Sequence, residues 1–409
     1  MKPIDFKIEK KLPRGRLGRA GILTTPHGVI ETPAFASVGT KASVKSLTPE
    51  QLKDLGAQVV LANTYHLYLQ PGEEVLKKAG GVGKFMNSSG PTMTDSGGFQ
   101  AFSLGAAFGT KMNKLAEVKQ ENTIDERDET AKLAKITENG VEFKSVLDGS
   151  VHFFTPERSM EIQHAIGADM IFAFDECTSP IATYEYQKEA MNRTHEWAVR
   201  SLRRHQQLQA TEGAPLLQRG ALCSPQALLG IVQGGRFEDL RKESAKVIGA
   251  MDFDGFGIGG SFEKKDMNTA VGWVNSILPE EKPRHLLGIG DPLDLWDAVE
   301  EGCDLFDCVA PTRIARHGTL YSPHGLVHIT GAKFRNDFSP VVDGCACYTC
   351  KNFTKAYLGY LFRAREFLAY TLASIHNLYF IVNLVKQMRQ GILEDTFEQR
   401  KADFLRVYK

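Results

Sequence analysis

The stretch GIVQGGRFEDLRKESAKVIGAMDFDGFGIGG, residues 230–260, holds one complete unit of the pattern that decides the fold. Its two ends, Gly230–Gly235 and Gly255–Gly260, are short apolar segments that run out into glycines, as buried strands do where they enter a turn. The middle, RFEDLRKESAKVIG, is amphipathic, opens on acidic residues and closes on Gly249, the signature of a capped helix. Working outward from this unit, the same kind of segment recurs as AFASVGT (34–40), VVLANTYH (59–66), TMTDSGGF (92–99), MIFAFDEC (170–177), HLLGIG (285–290) and LFDCVAPT (305–312). With GIVQGG and GFGIGG these are eight strands. Helical stretches such as LTPEQLKDLG, TPERSMEIQHAIG and DPLDLWDAVEEG lie between them, with Pro or Asp near their starts and Gly at several ends. Eight alternating strand–helix units in one chain argue for a closed (β/α)8 TIM barrel over an open doubly wound sheet.

A chain of 409 residues with 42% hydrophobic residues buries such a barrel and leaves room for an appendage. The spacing predicts a barrel domain over 1–335, with an insertion at about 105–139 that is long, charged and poor in aromatics, and a C-terminal subdomain over 336–409. Leu208 to Pro225 is a second loose stretch. The start MKPIDFKIEKKLPRGR has no apolar signal segment and no run reads as a membrane span, so a cytoplasmic protein is expected. Lys+Arg and Asp+Glu both total 49, which excludes nothing about partners. From Thr312 onward, however, 14 Lys/Arg face 7 Asp/Glu. A basic end of this kind suits a polyanion, and on charge alone a solvated helical tail explains it equally well.

Three of the seven cysteines crowd together as Cys345-x-Cys347-x2-Cys350, and His376 follows on an expected helix, SIHNLYF. Three thiolates and one imidazole suit one tetrahedral zinc ion with no open position, hence a structural site. Gly344 eases the approach of the loop. A disulfide framework is disfavoured by the odd, clustered count, and a redox dithiol by the absence of a strand leading into a Cys-x-x-Cys turn.

The predicted strand ends carry Asn63 and His66, Asp95 and Ser96, Asp175 and Glu176, Gln233, Gly259 and Gly260, and Asp307. In barrels this rim is where chemistry is built. Any one of these residues is explained by a strand turning polar as it meets a loop; the set is not. TDSGGFQ offers the Asp95 carboxylate, two glycines whose backbone lets a ligand approach, and Phe99 to stack on a planar ring. Asp175, Gln233 and the Gly259–Gly260 backbone supply acceptors and donors for a purine-like edge. In LFDCVAPTRIARHG, Asp307 emerges behind two apolar residues, placed to attack an anomeric carbon in the manner of retaining glycosidases, with Arg313 and Arg316 ready for phosphates. A structural aspartate beside a solvated basic turn is the competing explanation of those residues.

The motifs NTYHL, TDSGGFQ, FDEC, GIVQGG, GIGG, LFDCVAPTR and C-x-C-x2-C with its distant histidine, in this order, resemble the tRNA-guanine transglycosylases of the bacterial type, from about residue 15 to the C-terminus. The resemblance implies a zinc-containing barrel, a pentosyltransferase that replaces the wobble guanine of GUN-anticodon tRNAs (those for aspartate, asparagine, histidine and tyrosine) by a 7-deazaguanine on the way to queuosine. It implies that Asp307 is the nucleophile on ribose C1′ and Asp95 the general acid/base. The base would be bound by Asp95, Ser96, Gly97, Gly98, Asp175, Gln233 and Gly260, with Phe99 and Leu287 on its faces. RNA contact would fall to Gly288, Ile289, Gly290, Asp291, Pro292, Leu293 and Asp294, and to Thr312, Arg313, Ile314, Ala315 and Arg316. A homodimer is implied as well.

This chain departs from the family pattern in three places. Phe99 stands where Tyr is common, Leu287 where Met is common, and SFEKKD follows GIGG in place of LAVGE, next to the base's 7-substituent. Cys177 favours 7-aminomethyl-7-deazaguanine as the incoming base, while the altered wall leaves queuine open. A non-catalytic tRNA-binding subunit and a barrel hydrolase acting on small glycosides are the other readings. The first has no use for both Asp95 and Asp307, and the second none for the basic zinc appendage.

Overall fold

A computed structural model of the chain describes residues 2–13, 15–100, 134–212, 225–260 and 266–408. Residues 105–133 of the expected insertion, 213–224 of the loose stretch and 261–265 of SFEKKD lie outside the described residues.

Eight parallel strands close into a barrel in sequence order: Ala34–Val38, Val60–Ala62, Thr92–Thr94, Met170–Phe172, Ala227–Val232, Gly255–Ile258, Arg284–Leu286 and Leu305–Cys308. Each of the eight predicted segments supplies one. The ring closes where the eighth strand pairs with the first, Leu305 opposite Ala34 and Cys308 opposite Ser37. The third and fourth strands share one register pair, Met93 with Met170. There the side chain of Gln163 takes over from the ladder: it accepts from Thr94 Oγ1 at 3.0 Å and from Phe172 N at 3.1 Å, and donates to Phe172 O at 2.9 Å.

Alternation along each strand sorts the side chains. Ala34, Ala36, Leu61, Met93, Met170, Phe172, Leu229, Ile231 and Leu305 fill the barrel, while Phe35, Ala62, Ile171, Leu228, Val232 and Phe306 pack outward with the helices. The amino end of the barrel is stoppered by an antiparallel sheet of Asp5–Lys11, Arg19–Thr25 and Gly28–Thr32, from which Leu23 and Ile30 join the interior cluster. This sheet has no counterpart in the sequence reading. With one end plugged, the carboxyl ends of the strands are the mouth.

The expected helices form, and several are capped as their sequences dictate; Glu238–Gly249 is the exception, with no side-chain cap at Phe237 and with Gly249 as its last helical residue ahead of Ala250 rather than a left-handed cap. Thr48 and Gln51 make a reciprocal capping box at the start of Pro49–Asp54. Thr155 caps Pro156–Ile166, which ends on Gly167 in the left-handed region. Two further helices are longer than the sequence reading implied, Tyr184–Glu212 and Phe367–Leu393. The second, 27 residues, is long and apolar enough to cross a membrane by composition, which corrects the expectation that no such run exists; 67% of its most apolar window is buried inside the protein. It is apolar on several sides because Val382, Val385 and Met388 pack on the barrel side while Leu372 and Ala373 pack into a separate C-terminal cluster. Arg389 ties it to the stopper sheet by donating to Gly21 O at 3.0 Å and Thr32 O at 2.7 Å.

Candidate active site at the barrel mouth and a candidate metal centre

The parity of the strands carries on past their ends and sets the site. Leu61, Met93, Ile231 and Leu305 point into the barrel; the residues two further on, Asn63, Asp95, Gln233 and Asp307, keep that direction at the mouth. Three hydrogen-bonded groups result, each centred on one carboxylate.

The first holds Asp95. Its Oδ2 accepts from Asn63 Nδ2, and its Oδ1 accepts from Thr64 N at 2.9 Å and Gly97 N at 3.3 Å. Asn63 is itself fixed as the N-cap of Thr64–Leu69, accepting from His66 N at 3.0 Å. Asp95 is half-buried, as is Phe99 just after it, whereas Gly97 and Gly98 are buried.

The second holds Asp175, 6% exposed. Ser96 Oγ donates to its Oδ1 at 2.9 Å and Gln233 Nε2 to its Oδ2 at 2.7 Å. Gln233 Oε1, also buried, has no hydrogen-bond partner among the described residues. Gly260 closes this corner at φ +97°, where an added Cβ would stand 2.3 Å from the Arg241 guanidinium and 3.2 Å from Gln233 Oε1, so no side chain fits. Arg241 braces the corner from beneath, donating to Gly235 O at 2.7 Å and Gly259 O at 2.8 Å. Burial pulls its guanidinium down to about 9, which leaves it a cation near neutrality.

The third holds Asp307, whose side chain is 14% exposed. Its Oδ1 accepts from His285 Nε2 at 2.8 Å and from Gly288 N at 2.9 Å. Leu287, expected on a base face, is half-buried against the barrel interior. In the two expected RNA segments Arg313 is exposed, and Gly288, Asp291, Leu293, Ile314 and Arg316 are half-buried. Ile289, Gly290, Pro292, Asp294, Thr312 and Ala315 are buried and serve packing. Asp291 caps the helix Pro292–Glu300 through Leu293 N at 3.0 Å.

Sequence reading overlooked His285 and Arg241. The first had only a weak signal: it stands two places before Leu287, expected on a base face, and strand alternation puts the two on one face. Arg241 had none, since its helix reads as amphipathic whichever way the arginine turns.

On the C-terminal side, Cys345, Cys347, Cys350 and His376 bring three Sγ and one imidazole nitrogen within 4.8 Å of one another. His376 Nδ1 is 3.5 Å from Cys347 Sγ and 3.3 Å from Cys350 Sγ, close to the tetrahedral edges implied by bonds of ~2.3 Å to sulfur and ~2.0 Å to nitrogen. Its Nε2 donates to Tyr321 O at 2.8 Å, which fixes the tautomer that turns Nδ1 toward the thiols. The donor set can hold a metal ion.

The sequence model of the Queuine tRNA-ribosyltransferase family matches residues 14–409. Among curated relatives, the queuine tRNA-ribosyltransferase of Thermoanaerobacter pseudethanolicus is 46% identical over 411 residues, covering 100% of this chain and 98% of its own length. That of Desulforamulus reducens is 46% identical over 409 residues, 99% of each chain, and that of Symbiobacterium thermophilum 45% identical over 390 residues, 95% of this chain and 87% of its own. An eight-stranded barrel with a ring of carboxylates at its mouth, a Cys3His cluster behind it and relatives alike over nearly their whole length lead to one conclusion: the chain belongs to the queuine tRNA-ribosyltransferase family, enzymes of the pentosyltransferase type.

Proposed function

We propose that the protein exchanges the wobble guanine of GUN-anticodon tRNAs for 7-aminomethyl-7-deazaguanine through a covalent Asp307–ribose intermediate. The observation that carries this reading is the pair of carboxylates held for different work. Asp175 is held by Ser96 and Gln233 at a buried corner, whereas Asp307 takes His285 and Gly288 on its Oδ1 at the edge of the mouth, with its side chain 14% exposed.

A guanine-type base presents N1–H and N2–H donors side by side, which a held carboxylate accepts. Gln233 Oε1, without a partner among the described residues, adds an acceptor, and Phe99 and Leu287 cover the faces. An Asp307 carboxylate oxygen then bonds to C1′ as the C1′–N9 bond breaks, the electron pair leaving with the base and a proton reaching the base from Asp95. The incoming base reverses the sequence: it gives its proton to Asp95, bonds to C1′ and releases the Asp307 carboxylate. Asn63, Thr64 and Gly97 hold Asp95 where it can do both. The target nucleotide leaves its stack to reach the mouth, at a cost of a few kcal/mol, and Arg313 and Arg316 meet its phosphates. Cys345, Cys347, Cys350 and His376, all within residues 336–409, would hold one zinc ion whose chemistry is structural, tying the cysteine segment to the helix Phe367–Leu393. The working form is a cytoplasmic homodimer.

Incubation with radiolabelled guanine and unmodified tRNA tests the reaction, with incorporation into GUN tRNAs the expected result and none into any tRNA the contrary one. Queuine as the incoming base is the second reading, favoured by SFEKKD in place of the usual wall; competition between the two bases in that assay decides it.

A further inference from the structure

His285 lies inside the barrel with a side chain 0% exposed, and its Nε2 is 2.8 Å from Asp307 Oδ1. Its neighbour Arg284 turns the other way, donating to Leu278 O at 2.9 Å. The Phe172 ring meets the imidazole edge to face, centroids 5.4 Å apart, and Gly257 opposite leaves room for that ring, since a Cβ there would stand 2.9 Å from it. His285 Nδ1 is buried with no hydrogen-bond partner among the described residues. A second N–H on that side would have nothing to accept it. The imidazole therefore presents its Nε2 side alone to a partner, aimed at one oxygen of one carboxylate.

We propose that His285 is a positioning residue that sets the balance between the free Asp307 carboxylate and its ribosyl ester. The inference rests on the reading of Asp307 as nucleophile. A hydrogen bond to an ionised acceptor is stronger than one to a neutral acceptor. The carboxylate therefore gains more from His285 than the ester does. The consequence is a nucleophile kept in one orientation and an intermediate kept from accumulating, because the oxygen released when the incoming base attacks C1′ returns to a waiting donor.

The test uses the full-length protein with its metal. His285→Phe removes the donor and keeps an aromatic ring; His285→Gln restores an N–H at about the same reach. With unmodified tRNA and a fixed concentration of guanine, the denatured adduct is weighed against free enzyme at equilibrium, and labelled-guanine exchange is followed in parallel. For His285→Phe the adduct-to-free ratio rises about tenfold while exchange falls about tenfold, tRNA binding stays unchanged, and His285→Gln returns both values toward the starting protein. A loss of folding would lower adduct and turnover together, so the opposed signs report on the bond itself. If His285→Phe does not fold, His285→Leu is read the same way. An unchanged ratio, a parallel loss of adduct and exchange in folded protein, or no recovery in His285→Gln would overturn the proposal. Asp307→Asn runs alongside: adduct persisting there overturns the nucleophile assignment itself, whereas adduct lost there with an unaltered ratio in His285→Phe overturns this inference alone.

Discussion

The barrel mouth and the Cys3His cluster are both polar sites in apolar surroundings, and they are built in opposite ways. Three ligands of the cluster come from six consecutive residues and the fourth from one helix, so its geometry is local. The mouth is assembled from Asn63, Asp95, Asp175, Gln233, Gly260, Leu287 and Asp307, each from a different strand end, and they come together only as the strands pair into the barrel. A local cluster is robust to the rest of the fold and stabilises it. A site spread over seven strand ends inherits its precision from the fold, which makes the barrel's own packing part of the chemistry.

The sharpest way to break this comparison is at Asp307. Asp307→Asn should lower base exchange by about 10⁴-fold or more with folding intact, because the proposed covalent route is lost while the hydrogen bonds at Asp95 and Asp175 remain; exchange assays with circular dichroism check both halves. Asp95→Asn should follow, with a fall of roughly 10²- to 10⁴-fold, the usual range for removing a general acid/base. Its adduct should still form, slowly, when the labelled enzyme–tRNA species is timed on a denaturing gel.

At the cluster the effect should move from rate to stability. Cys350→Ala should release the metal and lower stability by about 3 kcal/mol or more, with bound zinc measured by mass spectrometry and unfolding followed in denaturant. The fraction that stays folded should keep most of its exchange activity per molecule. A variant that held its stability but lost chemistry would erase the division between the two regions.

Smaller effects sharpen the picture. Gln233→Ala should raise KM for the base by roughly 10- to 100-fold with less change in kcat, since in the proposed reading it binds the base without touching C1′. Outside both sets of residues, Arg200 holds Glu157 through two bonds of 2.7 Å between neighbouring helices. That contact depresses the Glu157 carboxyl from 4.5 to about 2. A carboxyl depressed on folding adds stability that is complete above pH 4.5 and fades as pH falls toward 2. Arg200→Met should flatten that part of the pH–stability curve and cost less than about 1 kcal/mol at neutrality, because the pair is partly exposed.

The same contrast explains what was legible in the sequence. All eight strands could be read, since each is a short apolar run ending in glycine or a polar residue, and the Cys3His cluster could be read because its spacing is its geometry. Asp95, Gln233 and Asp307 were readable as mouth residues because each stands where a predicted strand ends. What escaped depended on distant parts of the chain. The stopper sheet at Asp5–Thr32 is made of ordinary alternating residues whose partners only the closed barrel supplies. His285 looked like part of an apolar strand, and Arg241 like one charge on a solvated helix. The apolar run of Phe367–Leu393 was passed over because polar residues such as His376, Asn377 and Lys386 interrupt it, and only packing on two sides reveals why the rest is apolar.

The account turns on which oxygen carries the ribose. Enzyme mixed with unmodified tRNA and denatured before turnover completes should be digested with nuclease and protease and its peptides weighed. The predicted result is a ribosyl mass on the peptide containing Leu305, Phe306, Asp307 and Cys308, placed by fragmentation on Asp307. A ribosyl mass on Asp95, on Asp175 or on no carboxylate at all would contradict it.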